Sequence, residues 1–139
     1  MLFRSPGFQP RDGIGGWLVG TPGIIALAAV EAGVALVAEA GIDRIRAKGV
    51  VLTEHAIALH DAWLAPLGFR LGSPRAALRR GAHIAVRHPD ARSLTARLGA
   101  GGVLVDFRAP DSIRLGLSPL TISFEDVHRG VSALRDLGT

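Results

Sequence analysis

The sequence predicts an α+β domain in which helices cover one face of a small, mainly antiparallel sheet. Three observations lead to this fold class. Helical and strand-like patterns follow one another in the order helix, helix, strand, strand, helix, strand, strand, helix. Two strand-like runs, Val103–Phe107 and Ile113–Leu117, are close enough to form a hairpin. The 139 residues are 48% hydrophobic, which suits one domain with a buried core.

The chain begins with a predicted N-terminal arm, residues 1–21, and continues into a single domain, residues 22–139. Met1–Gly16 is rich in glycine and proline and reads as a loop. Thr21 is a good N-cap and Pro22 suits a first helical position, so we expect a helix from Pro22 to Ala40. Its apolar residues recur at helical spacing, which predicts a buried helix that ends at Gly41.

A longer amphipathic helix is expected over residues 42–67, with Gly49 on its apolar stripe allowing close packing against the first helix. The remaining pattern predicts two short strands, a helix, a hairpin and a last helix. Ser123 and Asp126 are spaced as a capping box at the start of that last helix. The expected elements are strands 69–71 and 82–87, helix 89–98, strands 103–107 and 113–117, and a helix from Ser123 to Leu137.

Composition excludes several classes of protein. There is no cysteine, which excludes a disulfide scaffold and a cysteine-based metal site. The most apolar stretch carries Glu31 and Glu39, which argues against a membrane helix, and no signal peptide is visible. The net charge of +4 is spread along the chain without interleaved aromatic residues, so we expect no nucleic-acid partner. We expect a cytoplasmic protein.

Arg114 is the sharpest candidate for a binding residue. Strand alternation places Ile113, Leu115 and Leu117 on one face, and Arg114 with Gly116 on the other. A guanidinium above residues of little bulk can bind a carboxylate through two hydrogen bonds. The same pattern also fits an arginine on a solvated sheet face, and the residues alone leave that alternative open.

A second candidate lies at Gly20-Thr21-Pro22. Helix N-termini present free N–H groups and the positive end of the helix dipole, which suit a phosphate. A plain N-cap explains the same residues equally well. His83 and Arg87 share a strand face, but no partner stands at metal-ligand spacing, so we predict no metal site and no catalytic residue.

The chain resembles the C-terminal part of kynureninase, a pyridoxal-phosphate enzyme with the aspartate-aminotransferase fold. The resemblance covers nearly the whole length, and its most specific part is Asp106-Phe107-Arg108-Ala109-Pro110 followed by Ile113-Arg114 and Pro119-Leu120. The other matching pieces are Phe8-Gln9-Pro10, Gly13, Trp17, Gly20-Thr21-Pro22, Ile24, Arg46-Ala47-Lys48, Leu52-Thr53, Arg80-Gly81, His83, Phe124 and Asp126-Val127.

The resemblance implies hydrolysis of L-kynurenine to anthranilate and L-alanine, in tryptophan catabolism, by a homodimer with pyridoxal phosphate held on a lysine. It implies that Arg114 binds the α-carboxylate of the substrate. Gly20 would lie near the aromatic end of the substrate, and Thr21 beside the cofactor phosphate across the dimer. The cofactor domain with its lysine has no counterpart here, because Lys48 is the only lysine and matches a lysine of the small domain.

Two departures concern the pocket: Thr121 replaces a tyrosine of the family pattern, and Gly23 replaces a second proline. The resemblance therefore favours a truncated or split small domain that is inactive alone and pairs with a copy of itself or with a separate large-domain chain. The alternative is a stand-alone module for amino-acid binding or dimerisation.

Overall fold

The computed structural model describes residues 11–18 and 20–139, which form two compact units divided after Glu39. The first unit holds a 3₁₀ turn, Gly13–Trp17, and most of one long helix. The second holds the sheet and the other helices. The principal elements are α1 Ile24–Ala40, α2 Ile42–Leu59, β1 Arg70–Leu71, β2 His83–Arg87, α3 Ala91–Ala100, β3 Asp106–Arg108, β4 Ser112–Gly116 and α4 Phe124–Gly138. The predicted fold class and element order are confirmed.

Helix α1 begins two residues later than the sequence pattern predicts. The carbonyl of Gly23 accepts the first helical hydrogen bond, from the amide of Leu27 at 3.0 Å. Gly23 therefore occupies the N-cap position, which glycine fills well, and the prediction of Thr21 as the N-cap was wrong. The 3₁₀ turn also replaces part of the predicted N-terminal loop, whose residues 1–10 lie outside the described residues.

The prediction that α1 is buried was also wrong. Every residue of α1 up to Glu39 is exposed, and Ile24 and Ile25 are 83% and 88% accessible. Apolar residues lie all round this helix. Among the described residues of its unit, the 3₁₀ turn is the one other element, and it leaves these apolar side chains exposed. Within the described residues no single helix is long and apolar enough to cross a membrane, and only α1 and α2 taken as a bent pair pass that test.

The predicted long helix is present as three helical segments without a break. A π-helical turn, His60–Leu64, and a 3₁₀ turn, Ala65–Leu67, follow α2. Gly49 is buried in α2, and a Cβ atom built there would lie 3.2 Å from Pro119 Cγ and 3.7 Å from Ala82 Cβ. The closest neighbour of Gly49 is thus Pro119, which would have to move by a few tenths of an ångström to admit a Cβ atom, and which the helix pattern could not predict.

The sheet has four antiparallel strands in the order β1-β2-β4-β3. One face carries apolar side chains, among them Ile84, Val86, Ile113 and Leu115, which are buried with residues of α2, α3 and α4. The opposite face carries the alternate, mostly polar residues, which are intermediate or exposed. Burial of one face fixes the register, since a slip by one residue would exchange the two sets of side chains.

The predicted capping box at the start of α4 is confirmed. Ser123 Oγ accepts a hydrogen bond from the Asp126 amide at 3.1 Å, and Asp126 Oδ2 accepts one from the Ser123 amide at 2.9 Å. The hydrogen bond from the Ser123 amide, followed by those from the Ser123 hydroxyl and from Arg129, lowers the pKa of the Asp126 carboxyl below its ordinary value.

We expect Asp126→Asn to lower the free energy of unfolding at pH 7 but not at low pH. A lowered pKa in the folded state gives stability that is complete above the unfolded pKa of about 3.9 and is lost as the pH falls through the folded pKa. Urea unfolding of both proteins between pH 2 and pH 7 should therefore show a difference that closes below about pH 4. A difference that stays constant to pH 2 would contradict an ionic contribution from Asp126.

Candidate functional site

Arg114 lies on the polar face of the sheet, as the alternation predicted. It is the middle residue of β4, and in the strand register it faces Ala85 of β2 on one side and Asp106 of β3 on the other. Its side chain is 41% accessible. The guanidinium is therefore held by a central strand while part of it is open to solvent.

Small residues surround Arg114 along the sheet. Gly116 follows it on the same face, and a Cβ atom built on Gly116 would meet no atom within 4 Å. Ala85 lies opposite, and the loop after β1 packs beside Ala85 because the Ala85 amide donates to Ser73 Oγ at 2.9 Å. The space next to Arg114 is thus open at Gly116 and bounded at Ala85.

Acidic and basic side chains alternate on this face. Arg114 Nη2 lies 2.5 Å from Asp106 Oδ2, and Arg108 Nε donates to the same oxygen at 2.8 Å. Further along, Asp111 lies within 3.6 Å of Arg70 and 4.0 Å of Arg87. The face therefore carries more guanidinium groups than carboxylates, which favours an anionic ligand.

The cations of the matching motifs on α2 and in the loop 73–81 serve the fold. Arg46 donates to the carbonyls of Ala77 and Arg80, and Lys48 Nζ donates to the carbonyl of Pro119 at 2.7 Å. Arg80 is buried, where it donates to the carbonyls of Pro74 and Arg75 and forms an ion pair with Glu54. These contacts tie α2 to the loop 73–81 and to the loop that follows β4, so these residues have a structural role without a ligand.

The residues Gly20 and Thr21 are exposed and belong to the first unit, whereas Arg114 belongs to the second. A Cβ atom built on Gly20 would meet no atom within 4 Å. Thr21 precedes α1 by three residues, so it lies close to the unpaired amides of the first helical turn. A phosphate site built from Thr21 and these amides stays a prediction.

In the described part of the chain, no group of three or more His, Asp or Glu side chains could hold a metal ion. His60 is buried, with Nδ1 2.9 Å from Asp61 Oδ1, and its Nε2 atom has no partner within the described residues. Asp61 also accepts two hydrogen bonds from Arg75, which are the first cause of the low pKa of the Asp61 carboxyl. This group fixes the end of the long helix to the loop 73–81.

An apolar groove of about 330 Å³ lies between α4 and the β3–β4 hairpin. It is lined by side chains of the buried sheet face, such as Leu115 and Leu117, and Arg114 is not part of it. Gly116, which follows Arg114 on the polar face, also lines the groove, so the groove reaches the edge of that face.

The sequence of the chain matches a known protein family and several known proteins. The sequence model of the family described as Kynureninase C-terminal domain matches residues 45–134, which include Arg114 and all four strands. The chain belongs to this family. The resemblance seen in the motifs is thereby confirmed, and the match covers all four strands and most of α2 and α4 in the second unit.

Similar proteins that carry the name kynureninase are longer than this chain. The chain is 36% identical over 130 residues to the kynureninase of Geobacillus thermodenitrificans, which covers 94% of the chain and 30% of that protein. It is 36% identical over 133 residues to the kynureninases of Burkholderia mallei and Burkholderia pseudomallei, covering 96% of the chain and 32% of each. The chain spans about a third of the length of these relatives.

Sequence reasoning missed Asp106 and Arg108 as neighbours of Arg114, although both stand in the most specific motif. Pairing the predicted strands so that Phe107 faces Ile113 puts Asp106 opposite Arg114, and the structure has this register. The end of the first predicted strand, Phe107, and the start of the second, Ile113, were therefore enough to predict this register. The burial of Arg80 was also missed, because the resemblance picked out Arg80-Gly81 but no local pattern separates a buried Arg80 from the exposed Arg79 beside it.

Proposed function

We propose that this chain is the small domain of a kynureninase and that Arg114 binds the α-carboxylate of L-kynurenine. One observation carries the proposal. The other basic residues of the matching motifs on α2 and in the loop 73–81 are used by the fold, while Arg114 stays partly open above Gly116 and Ala85. A half-exposed arginine on a central strand has no comparable structural role, and a planar carboxylate fits its fork of donors.

The reaction would be the hydrolysis of L-kynurenine to anthranilate and L-alanine in tryptophan catabolism, with the subunits paired as a homodimer. We propose that Gly20 lies near the aromatic end of the substrate, where the absence of a side chain leaves room. Thr21 and the first amides of α1 would bind the cofactor phosphate of the partner subunit. The positive end of the α1 dipole supports an anion there.

Pyridoxal phosphate, when bound, would supply the electron sink for cleavage of the Cβ–Cγ bond of L-kynurenine, which leaves Cβ on L-alanine. Of the parts of this cofactor, only the phosphate has a proposed binding residue in this chain, which is Thr21. Lys48 is the only lysine, and its Nζ atom donates to the carbonyl of Pro119, so it holds α2 to the loop before α4 and does not fit the covalent attachment. The residues of this chain would bind and orient the substrate, and the lysine would come from a large domain.

Activity assays with two proteins test this proposal. The 139-residue chain with pyridoxal phosphate and L-kynurenine should give no anthranilate fluorescence. A chimaera in which this chain replaces the aligned segment of the Geobacillus thermodenitrificans kynureninase should produce anthranilate, with the unaltered enzyme as the positive control. Arg114→Ala in the chimaera should raise KM for kynurenine by about tenfold or more, because two charge-assisted hydrogen bonds are lost.

Two results would contradict the proposal. Anthranilate production by the chain alone would show that it needs no large domain. A folded, dimeric chimaera without activity would favour the alternative function, a stand-alone module for amino-acid binding or dimerisation. The exposed apolar residues of α1 are the feature that supports dimerisation in that case.

A further inference from the structure

The inference concerns Asp106 and rests on the proposed carboxylate site at Arg114. Asp106 is the cross-strand partner of Arg114, and its Oδ2 atom lies 2.5 Å from Arg114 Nη2. A carboxylate of the protein itself is therefore in contact with the guanidinium proposed to bind a ligand carboxylate. The remaining donors of Arg114, on Nε and Nη1, have no partner within residues 11–18 and 20–139.

The position of this contact matters for ligand binding. A carboxylate docks on a guanidinium with two hydrogen bonds either at the Nη1–Nη2 edge or at the Nε–Nη2 edge. Both edges include Nη2, the atom that Asp106 contacts. Because Nη2 has one N–H directed to each edge, Asp106 can occupy only one of them. A ligand carboxylate at the same edge must displace Asp106, and one at the other edge lies beside the negative charge of Asp106 and is repelled by it.

Arg108 gives Asp106 a second partner. Its Nε atom donates to Asp106 Oδ2 at 2.8 Å, so two guanidinium groups converge on one carboxylate oxygen. The three side chains carry a net charge of +1, and one ligand carboxylate would neutralise them. With Arg108 removed, Asp106 and Arg114 would already cancel, and an incoming carboxylate would meet no net positive charge.

We propose that Asp106 is the internal counter-ion of Arg114, which a ligand carboxylate must displace or bind beside, and that Arg108 holds Asp106 while the ligand binds. Asp106 then weakens carboxylate binding at Arg114, and Arg108 strengthens it. The two residues act in opposite directions on the same guanidinium. A role in folding alone would make both substitutions harmful in the same direction.

Chemical modification tests the pairing without any ligand. The chain is treated with phenylglyoxal, and the rate of modification at Arg114 is followed by peptide mass spectrometry. Asp106→Asn should raise this rate about two- to fivefold, and Arg108→Gln should lower it by a similar factor, as expected for an exposed ion pair. Asp111→Asn is the matched control, since it makes the same charge change at a residue that contacts Arg70 and Arg87.

A second measurement, calorimetric titration with L-kynurenine, separates this inference from the proposed function. Asp106→Asn should tighten binding and Arg108→Gln should weaken it. Opposite shifts in the modification rate without any kynurenine binding would leave the counter-ion role standing and overturn the assigned ligand. Unchanged rates in Asp106→Asn, or shifts of the same sign in both variants, would overturn the counter-ion role, provided that circular dichroism shows both variants folded.

Discussion

The variant Arg80→Met is expected to lose about 2–3 kcal/mol of unfolding free energy, the largest effect on stability that we predict for a polar residue. The Arg80 side chain is 2% accessible and donates to the carbonyls of Pro74 and Arg75 at 2.9 and 2.6 Å, besides its ion pair with Glu54. Methionine fills a similar volume but leaves both carbonyls without a donor. Glu54 is half exposed and can be hydrated again, so its charge adds little to the cost.

Urea unfolding of the two proteins measures this loss, with Arg79→Met as the matched control. Arg79 is the preceding residue, is exposed, and undergoes the same change of side chain. We expect the control to stay within about 0.5 kcal/mol of the original protein. Equal stability of Arg80→Met and Arg79→Met would show that the buried guanidinium contributes nothing net.

The same substitution bears on the candidate site. Arg80 holds the carbonyls at 74 and 75, and the adjacent Ser73 accepts a hydrogen bond from the amide of Ala85. Ala85 faces Arg114 across the strands. Loss of Arg80 should therefore loosen the boundary of the space beside Arg114 as well as the loop itself.

Local sequence patterns predicted the elements of the second unit well. The alternation in Ile113–Leu117 correctly placed Arg114 on the polar sheet face. Side chains of a strand alternate between its two faces, so burial of the apolar set fixes the other set on the opposite face. The Ser123 and Asp126 spacing correctly predicted the start of α4, since a capping box is a contact between residues close in sequence.

Contacts between distant residues were beyond these patterns. The close packing at Gly49 comes from Pro119, seventy residues later, and the buried Arg80 is held by loop carbonyls and Glu54. The exposure of α1 depends on which elements belong to its unit, and hydrophobicity alone predicted the opposite. For the site, the sequence predicted the cation but not its counter-ion Asp106.

The second large effect is expected on ligand binding at Arg114. We expect Arg114→Ala to weaken binding of L-kynurenine by about tenfold to a hundredfold, from the loss of two charge-assisted hydrogen bonds. Gly116→Val should weaken binding as well, because its side chain would enter the open space beside Arg114. It should keep the stability of the sheet, since a Cβ atom at Gly116 meets nothing within 4 Å and valine favours strands.

Calorimetric titration of the 139-residue chain with L-kynurenine and with kynuramine, the same molecule without its carboxylate, tests the central claim most directly. We predict that kynurenine binds, that kynuramine binds at least tenfold more weakly, and that Arg114→Ala removes this difference. Equal binding of the two ligands, or a preference for kynurenine that persists in Arg114→Ala, would contradict the claim that Arg114 recognises the carboxylate.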